Sequence, residues 1–563
     1  MPRGLRRKLT SYGDEAFSLF LRKAFIKAMG YSNEALDRPI VGIANTTSDY
    51  NPCHGNVPQL IEAAKRGALL AGALPMVFPT ISIHESFAYP TSMYLRNLMA
   101  METEEMIRAQ PMDAVILIGG CDKTLPAQLM AAAVSDIPAI FLPTGPMAVG
   151  HYRGEALGAC TDCRRFWGQF RAGKIDATEV EAVNDALVPS VGTCTVMGTA
   201  STMACLVEAM GLCLPMAGTA PATEAERIRL AEATGKQAAR LAGGDGPTVR
   251  DILTADVLHN AMAVLQALGG STNAVVHLAA IAGRLGMKLD LKALDDIGRR
   301  VPVLVDLKPS GAHYMEHFHN AGGVPRLMKE LAGELRLDAA TIGGGTIGDT
   351  IAAAVDVPGE RIIRPLTDPI KPTGAIAVLS GNLAPRGAVI KQSAASPALA
   401  RHEGRAVVFD SIDDMAARID DPNLKVAASD VLVLRNAGPK GAPGMPEAGY
   451  LPIPKKLAEQ GVTDMVRISD ARMSGTAFGT VVLHVTPEAA DGGPLAIVRD
   501  GDTISLDIEN RRIDLLIDAA EFRARVAALA ARPKASVPAR GYARLFHDHV
   551  MQADDGADFD FLV

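Results

Sequence analysis

The stretch DAVILIGGCDKT, residues 113–124, is the part of the sequence that determines the fold class. An apolar run of strand length ends at two glycines, and Cys121, Asp122 and Lys123 follow before the helical pattern PAQLMAAAVS. Other segments between residues 39 and 146 repeat this alternation of apolar run and helical pattern, namely PIVGIAN, VPQLIEAAKRGALLAG, MVFPTISI, the run 93–109 and AIFLPTGP. Such alternation is typical of βαβ units, and it predicts a parallel sheet with helices on both faces.

The pattern changes after the proline-rich segment PLTDPIKPTG, residues 365–374. Residues 222–335 are mostly helical in their spacing, whereas closely spaced short strands are predicted beyond 374: AIAVLSG, RAVVFD, DVLVLRN, DMVRISD, TVVLHV, PLAIVRDGDTISLDI and RRIDLLI. The Asp500-Gly501 step is expected to form the turn of the last hairpin. We therefore expect an α/β domain over residues 1–368 and a β-rich, barrel-like domain over residues 369–563.

The composition excludes several classes of protein. Of 563 residues, 48% are hydrophobic and 21% are charged, which is a globular composition long enough for two domains. The net charge of -7, with scattered lysines and arginines, provides no basic surface for nucleic acid. Because no apolar run approaches about 18 residues and the basic N-terminus lacks an apolar signal region, we expect a soluble, cytoplasmic protein without a membrane partner.

Chemically distinctive side chains follow the predicted strands at their carboxyl ends, where parallel sheets bind ligands. Cys53, Glu85 and the run Cys121-Asp122-Lys123 hold such positions, and Cys194 stands before a helix of small residues. A thiolate suits iron and carboxylates suit magnesium, so one loop can serve two different metals. Any of the seven cysteines taken alone is, however, more often a small buried hydrophobic residue, and the spacing of these three matches no compact ferredoxin pattern.

Four further motifs have competing interpretations. GGGTIG, residues 343–348, fits a dinucleotide fingerprint but lacks a preceding strand, so a glycine turn is preferred. Cys160 and Cys163 form a C-x-x-C pair without a second pair, which favours a structural role over zinc or redox chemistry. GGSTNAVVHL, residues 269–278, is explained equally by helix capping and by anion binding. His84 is a ligand, a proton carrier or scaffold.

The sequence resembles the dihydroxy-acid and 6-phosphogluconate dehydratase family along nearly its whole length. The matching blocks, in order, are NPCHGN, GGCDKT, GTCTVMGTASTM, GGSTNAVVHL, SGNLAPRGAVIK, GPKGAPGMPE and ISDARMSGTAFGT. Within the family, residues 85–107 and the ending GADFDFL are more similar to the sugar-acid branch than to the branched-chain biosynthetic branch. The resemblance implies an α/β domain joined to a β-barrel domain.

The resemblance also implies a set of site residues. Cys53, Cys121 and Cys194 would bind an iron-sulfur cluster, [2Fe-2S] as in the most similar members, with [4Fe-4S] in some relatives. Glu85, Asp122, Glu447 and a carbamylated Lys123 would bind Mg²⁺, and Ser474 would be the base. His84 and Thr476 are the candidate substrate contacts.

These residue types suit the removal of water from a 2,3-dihydroxy acid. Three thiolates leave one place on iron free for the 3-hydroxyl, while Mg²⁺ stabilises charge at the carboxylate end. A carbamate converts the Lys123 amine into an oxygen ligand, which magnesium prefers. A serine needs nearby positive charge to act as a base.

The expected function is therefore that of a hydro-lyase that converts an aldonate to its 2-keto-3-deoxy acid. Two alternatives are a dehydratase for 2,3-dihydroxyisovalerate-type acids and, from another class, a non-catalytic iron-sulfur redox carrier or sensor. The resemblance implies a homodimer or homotetramer.

Overall fold

The computed structural model describes residues 3–244, 246–529 and 537–563. Its α-helices are α1 Glu15–Lys27, α2 Asn33–Leu36, α3 Val57–Leu70, α4 Ser92–Ala109, α5 Thr124–Ala133, α6 Thr161–Arg171, α7 Ala177–Leu187, α8 Thr199–Ala209, α9 Ala225–Gly243, α10 Val249–Ile252, α11 Ala255–Ala267, α12 Asn273–Arg284, α13 Leu291–Arg300, α14 Met315–Asn320, α15 Gly323–Glu330, α16 Ile347–Ala352, α17 Ile412–Arg418, α18 Lys455–Glu459, α19 Ala519–Leu529 and α20 Gly541–His549. Within these ranges, no helix is long and apolar enough to cross a membrane.

The N-terminal half is built on a parallel sheet in the order β2-β1-β3-β4. Its strands are β1 Ile40–Asn45, β2 Leu74–Pro79, β3 Ala114–Gly119 and β4 Ala139–Pro143. All six residues of β3 are buried, as expected for a central strand with helices on both faces. The predicted α/β arrangement is confirmed, and the carboxyl ends of the strands bring the loops after β1, β2 and β3 to one edge.

A small hairpin, β5 Gly150–Tyr152 with β6 Glu155–Leu157, separates this sheet from the long helical segment. That segment, α9 to α15, agrees with the helical spacing of residues 222–335. GGGTIG forms a turn with positive φ at Gly344 and Gly345 and leads into the short α16, so the expected glycine turn is confirmed.

Among the described residues, eight strands form the second sheet in the order β14-β13-β9-β10-β11-β12-β8-β7. They are β7 Ala377–Leu379, β8 Gly387–Ile390, β9 Arg401–Phe409, β10 Val431–Leu434, β11 Arg467–Ser469, β12 Val481–Thr486, β13 Thr503–Asp507 and β14 Arg512–Leu515. The two edges meet, because the Ser380 amide donates to the Arg511 carbonyl at 2.9 Å and the Ile513 amide donates to the Ser380 carbonyl at 3.1 Å. The barrel-like C-terminal fold is thus confirmed.

Two details of the predicted C-terminal strands are wrong. Residues Pro494–Ile497 form a 3₁₀ turn instead of a strand, with the proline at its first position, where a missing amide costs nothing. The Asp500-Gly501 turn comes before β13, and the hairpin itself turns after Asp507. The Asp500 side chain binds β9 instead, since its Oδ1 accepts a hydrogen bond from the Val408 amide at 2.7 Å.

The C-terminal tail folds back onto the N-terminal half. Asp558 is fully buried against Arg284 of α12, and Arg284 also reaches Glu104 of α4 at 3.3 Å. Arg96, also fully buried, donates to the backbone carbonyls of Gly556 and Ala557 at 2.7 and 3.0 Å. Residues 556–559 of the ending GADFDFL are therefore part of the folded core, whereas Phe561 is 49% exposed.

Replacing Arg284 with methionine is expected to destabilise the protein by about 3–5 kcal/mol, because the substitution leaves the buried Asp558 carboxylate without its cation. Arg299→Met is the matched control: Arg299 pairs with Asp295 while 47% exposed, and surface pairs contribute only about 0–1 kcal/mol. Thermal unfolding of both variants measures the difference, and equal midpoints would contradict the role given to Arg284.

Candidate active site

Two thiols and an imidazole converge at the carboxyl edge of the first sheet. Cys53 lies in the 3₁₀ turn Pro52–His54 beyond β1, Cys121 follows β3, and His84 precedes the turn Glu85–Phe87 beyond β2. One donor atom from each of the three lies within 4.8 Å of the others. Cys53 and Cys121 are 6% and 2% exposed, so these thiols face the protein interior.

His54, which the sequence did not single out, holds the Cys121 loop in place. Its Nε2 accepts hydrogen bonds from the Gly120 and Cys121 amides at 3.0 and 3.1 Å, and its Nδ1 lies 2.9 Å from the Thr46 carbonyl. Burial lowers the pKa of His54 to about 4. The imidazole is therefore neutral, with its proton on Nδ1, and serves as a rigid acceptor for the loop.

Cys194 lies in the loop before α8 and contacts a second pair of thiols. Interactions with the neighbouring Cys163 and Cys194 thiols lower the pKa of Cys160, and the Cys163 Sγ donates a hydrogen bond to the Cys160 carbonyl at 2.7 Å. The pKa of Cys53 is raised by the Cys121 thiol, by burial and, to a smaller extent, by the charge of Cys194. The C-x-x-C pair, expected to be only structural, thus adjoins the cysteines singled out from the sequence.

Carboxylates surround the buried amine of Lys123 next to the thiols. The Lys123 Nζ lies 3.3 Å from the Glu85 Oε2 and in contact with Asp122. Burial acts to raise the pKa of Glu85, but Arg472 and Lys123 hold it well below its usual range. For Lys123, burial and Arg472 act to lower the pKa, and the surrounding carboxylates still raise it.

Arg472 joins this group to the C-terminal half, and its role was missed in the sequence although it lies in a matching block. Its guanidinium donates to the Glu85 Oε1 at 2.8 Å and to the Glu447 Oε1 at 2.7 Å. Burial raises the pKa of Glu447, and the Glu85 and Asp122 charges add to that effect. Glu85, Asp122, Lys123 and Glu447 are thus brought together around one buried arginine.

Ser474 and Thr476 lie in the loop that follows Arg472. The Ser474 Oγ is 2.8 Å from the Thr476 Oγ1, so the two hydroxyls share a hydrogen bond. The Thr476 carbonyl accepts from the Thr161 Oγ1 at 2.9 Å, which ties the loop to the residue after Cys160. Ser474 is partly exposed, as a group that contacts substrate must be.

The N-terminus of α12 closes the site from another side. The Asn273 Nδ2 lies 3.0 Å from the Thr199 Oγ1 and 3.5 Å from the Glu447 Oε1, and Thr199 contacts Ser271 at 2.9 Å. The Asn273 Oδ1 is buried without a hydrogen-bond partner among the described residues. GGSTNAVVHL therefore places an unpaired acceptor at the site.

Lys391, at the end of β8, supports the serine loop from behind. Its Nζ donates to the Gly475 carbonyl at 3.1 Å, and the side chain is fully buried without a carboxylate partner in the described structure. Burial lowers the pKa of Lys391 to about 7. Burial of this amine therefore costs stability at every pH below the pKa of an unfolded lysine, and the cost is greatest at neutrality and below.

Replacing Lys391 with methionine is expected to stabilise the protein near pH 7 and to change its pH dependence. Between pH 7 and about 10.4 the unfolded chain binds the lysine proton and the native chain does not, so this residue makes stability rise with pH. The midpoint difference between variant and wild type should be largest at pH 7 and shrink towards pH 10. Unfolding midpoints measured across this range test the prediction, which a pH-independent difference would contradict.

The donor atoms match two metals of different character. Soft thiols and an imidazole stand on one side of the Cys121-Asp122-Lys123 run, and three carboxylates stand on the other. Thiolates are suitable ligands for an iron-sulfur cluster, and carboxylates are suitable ligands for Mg²⁺. A fully buried lysine among carboxylates also fits conversion to an oxygen ligand, so the residues present fit both groups.

The chain matches a known family over most of its length. The dihydroxy-acid/6-phosphogluconate dehydratase N-terminal domain matches residues 38–350, and the C-terminal domain of that family matches residues 361–557.

Three relatives illustrate the range of the family. L-arabinonate dehydratase of Rhizobium leguminosarum bv. trifolii is 46% identical, covering 99% of this chain and 96% of its own. The 6-deoxy-6-sulfo-D-gluconate dehydratase of Pseudomonas putida is 43% identical, covering 98% and 95%. A dihydroxy-acid dehydratase of Pyrococcus abyssi is 40% identical, covering 95% and 97%. The alternative of a non-catalytic electron carrier is therefore wrong: the chain is a hydro-lyase and belongs to the dihydroxy-acid/6-phosphogluconate dehydratase family.

Proposed function

We propose that this enzyme dehydrates an aldonate to its 2-keto-3-deoxy acid, using an iron-sulfur cluster on Cys53, Cys121 and Cys194 and Mg²⁺ on Glu85, Asp122, Glu447 and a carbamylated Lys123. The observation that carries the proposal is the continuity of the two donor sets through Cys121, Asp122 and Lys123. A [2Fe-2S] cluster is the proposed form.

Dehydration makes two demands, and the metals would meet both. The cluster supplies a Lewis acid for the departing 3-hydroxyl, and Mg²⁺ supplies positive charge for the carboxylate and 2-hydroxyl. A thiol set and a carboxylate set that lie side by side can fix the orientation of the substrate, with C3 towards the thiols and C2 towards the carboxylates. Arg472 holds Glu85 and Glu447 at a constant separation, which preorganises the carboxylate set.

Ser474 is the proposed base that removes the proton from C2. Its Oγ is partly exposed, shares a hydrogen bond with Thr476 and lies two residues from the buried Arg472 charge. Positive charge favours the alkoxide form that a serine base requires. Thr476 and His84 are the proposed contacts to substrate hydroxyls.

The proposed substrate class follows the names of the more similar relatives. The arabinonate and sulfogluconate dehydratases are 46% and 43% identical, and the dihydroxy-acid dehydratase of Pyrococcus abyssi is 40% identical. The segment 85–107 that resembles the sugar-acid branch includes Glu85 and the buried Arg96. Dehydration of a 2,3-dihydroxyisovalerate-type acid is the alternative.

Anaerobically purified enzyme decides between these substrates. It is assayed with a panel of aldonates, including L-arabonate and D-gluconate, and with 2,3-dihydroxyisovalerate, and 2-keto acid formation is the readout. Turnover of aldonates is expected, with activity lost on chelation and restored by Mg²⁺. Turnover of the branched-chain acid alone would overturn the aldonate assignment. Iron and acid-labile sulfide measured in the same preparation test the cluster separately.

A further inference from the structure

Cys160 is a thiol in the proposed cluster site that neither the matching sequence blocks nor the proposed reaction uses. It directly precedes α6 and is partly buried, and its side chain interacts with the Cys163 and Cys194 side chains. The three cysteines proposed to bind the cluster are therefore accompanied by a fourth thiol, whose interaction with Cys194 raises the pKa of Cys194.

The arrangement of the proposed ligands is uneven. Cys53 and Cys121 are close together, with His84 within 4.8 Å of both, while Cys194 stands apart from that pair and contacts Cys160 instead. If Cys53 and Cys121 held one iron of a [2Fe-2S] cluster, Cys194 would be left as the single thiolate for the other iron. The residue beside Cys194 that could supply a further ligand would then be Cys160.

The position of Cys160 is set by several independent contacts between the two loops. Lys308 bridges them, because its carbonyl accepts from the Met197 amide at 2.9 Å and its Nζ lies 3.2 Å from the Asp162 Oδ2. A Cβ on Gly158 would lie 2.5 Å from a Val196 side-chain carbon, so a larger residue at position 158 would force Val196 to move. The loop carrying Cys160 is thus packed directly against the loop carrying Cys194.

Cys163 has a different position in the same pair. Its Sγ donates to the Cys160 carbonyl at 2.7 Å, and it interacts with Cys194 only at longer range. Cys163 therefore supports the turn at the start of α6, while the Cys160 sulfur faces Cys194. This difference makes Cys163 the matched control for Cys160.

We propose that Cys160 is a fourth, displaceable thiolate ligand of the cluster, which binds the iron of Cys194 when no substrate is present. The inference rests on the proposed cluster site. On binding, the Cys160 thiol releases its proton to solvent and its sulfur fills the free place. The substrate 3-hydroxyl displaces the sulfur, which takes up a proton again. No electron is transferred in either direction.

Such a ligand gives the site a closed resting state. An iron with a free place is open to water and oxidants, whereas an iron with four sulfur ligands is less accessible. The sulfur must leave before the hydroxyl can bind. The apparent affinity for substrate is therefore the intrinsic affinity multiplied by the fraction of enzyme in the open state. Cys160→Ser should therefore have a lower KM than wild type and lose its cluster faster in air.

Mössbauer spectroscopy of ⁵⁷Fe-loaded holoenzyme tests the proposal without relying on activity, because iron with four sulfur ligands and iron with an oxygen ligand give different isomer shifts. Wild type and Cys163→Ser without substrate are expected to show only sulfur-ligated iron. Cys160→Ser is expected to show an oxygen-ligated iron at unchanged iron and sulfide content. Saturating L-arabonate should convert the wild-type spectrum to one that shows an oxygen-ligated iron.

Each other outcome overturns the proposal. An oxygen-ligated iron in wild type without substrate, or a Cys160→Ser spectrum equal to that of wild type, excludes Cys160 as a ligand. If Cys160→Ser binds no iron, the wild-type spectrum before and after L-arabonate decides alone. Wild type that contains no iron or sulfide would overturn the cluster assignment itself, whereas a loaded cluster with an open iron would overturn only the role of Cys160.

Discussion

Replacing Cys121 with alanine is expected to abolish cluster binding and to reduce dehydration by at least about 10³-fold, because Lewis-acid stabilisation of a leaving group is worth several kcal/mol. Cys121 is only 2% exposed, and its Sγ lies within 4.8 Å of the Cys53 Sγ, so the substitution removes one of the two thiols that converge at this edge of the sheet. Iron, acid-labile sulfide, visible absorbance and 2-keto acid formation are the measurements.

Cys205 provides the matched control for this substitution. It is a fully buried thiol of α8 that packs in the hydrophobic core, and it lies outside the proposed donor sets. Cys205→Ala should keep its iron, sulfide and turnover. Full iron content in Cys121→Ala would contradict the assignment of Cys121, and loss of iron in both variants would indicate a general folding defect.

Replacing Ser474 with alanine is expected to lower kcat by about 10²–10⁴-fold, the usual contribution of a positioned general base. The cluster should stay intact, because the Ser474 Oγ bonds to Thr476 and to no cysteine. The absorbance spectrum and iron content are therefore expected to match wild type, while 2-keto acid formation in single-turnover and steady-state assays is lost.

Ser429→Ala is the control, since Ser429 is an exposed serine of the same half of the chain. It should leave both turnover and spectrum unchanged. A Ser474→Ala enzyme that turns over at the wild-type rate would rule out Ser474 as the base. Loss of the cluster in this variant would show that the loop supports the cluster instead.

Much of the fold follows from local patterns in the sequence. The alternation of apolar runs and helical patterns around residues 113–124 predicts β1 to β4, since short, continuously apolar runs between helical patterns are typical of buried parallel strands. The barrel-like half was harder to predict from the sequence. β8, for example, has only four residues within SGNLAPRGAVIK and was not predicted as a strand. Residues 494–497 resemble a strand in hydrophobicity, but the initial proline and the adjacent glycines favour a turn.

The same contrast applies to the site. The strand-end position of Cys53, Glu85 and Cys121 could be predicted, because parallel strands bring their carboxyl ends to one edge. The role of Arg472 could not, since it binds Glu85 across 387 positions of sequence. Nor could the contact of Cys160 with Cys194, which depends on how two loops pack.

By itself, the sequence determined the α/β and barrel-like architecture, the family and the residue types that suit two metals. Periodicity and residue chemistry are properties of short segments, so they can be recognised in the sequence without knowledge of the fold. Only the tertiary structure decided that Arg472 joins Glu85 to Glu447, that His54 holds the Cys121 loop, and that Cys160 touches Cys194. These contacts join distant segments, and they form because burial forces each charged or polar group to find a partner wherever the chain brings one.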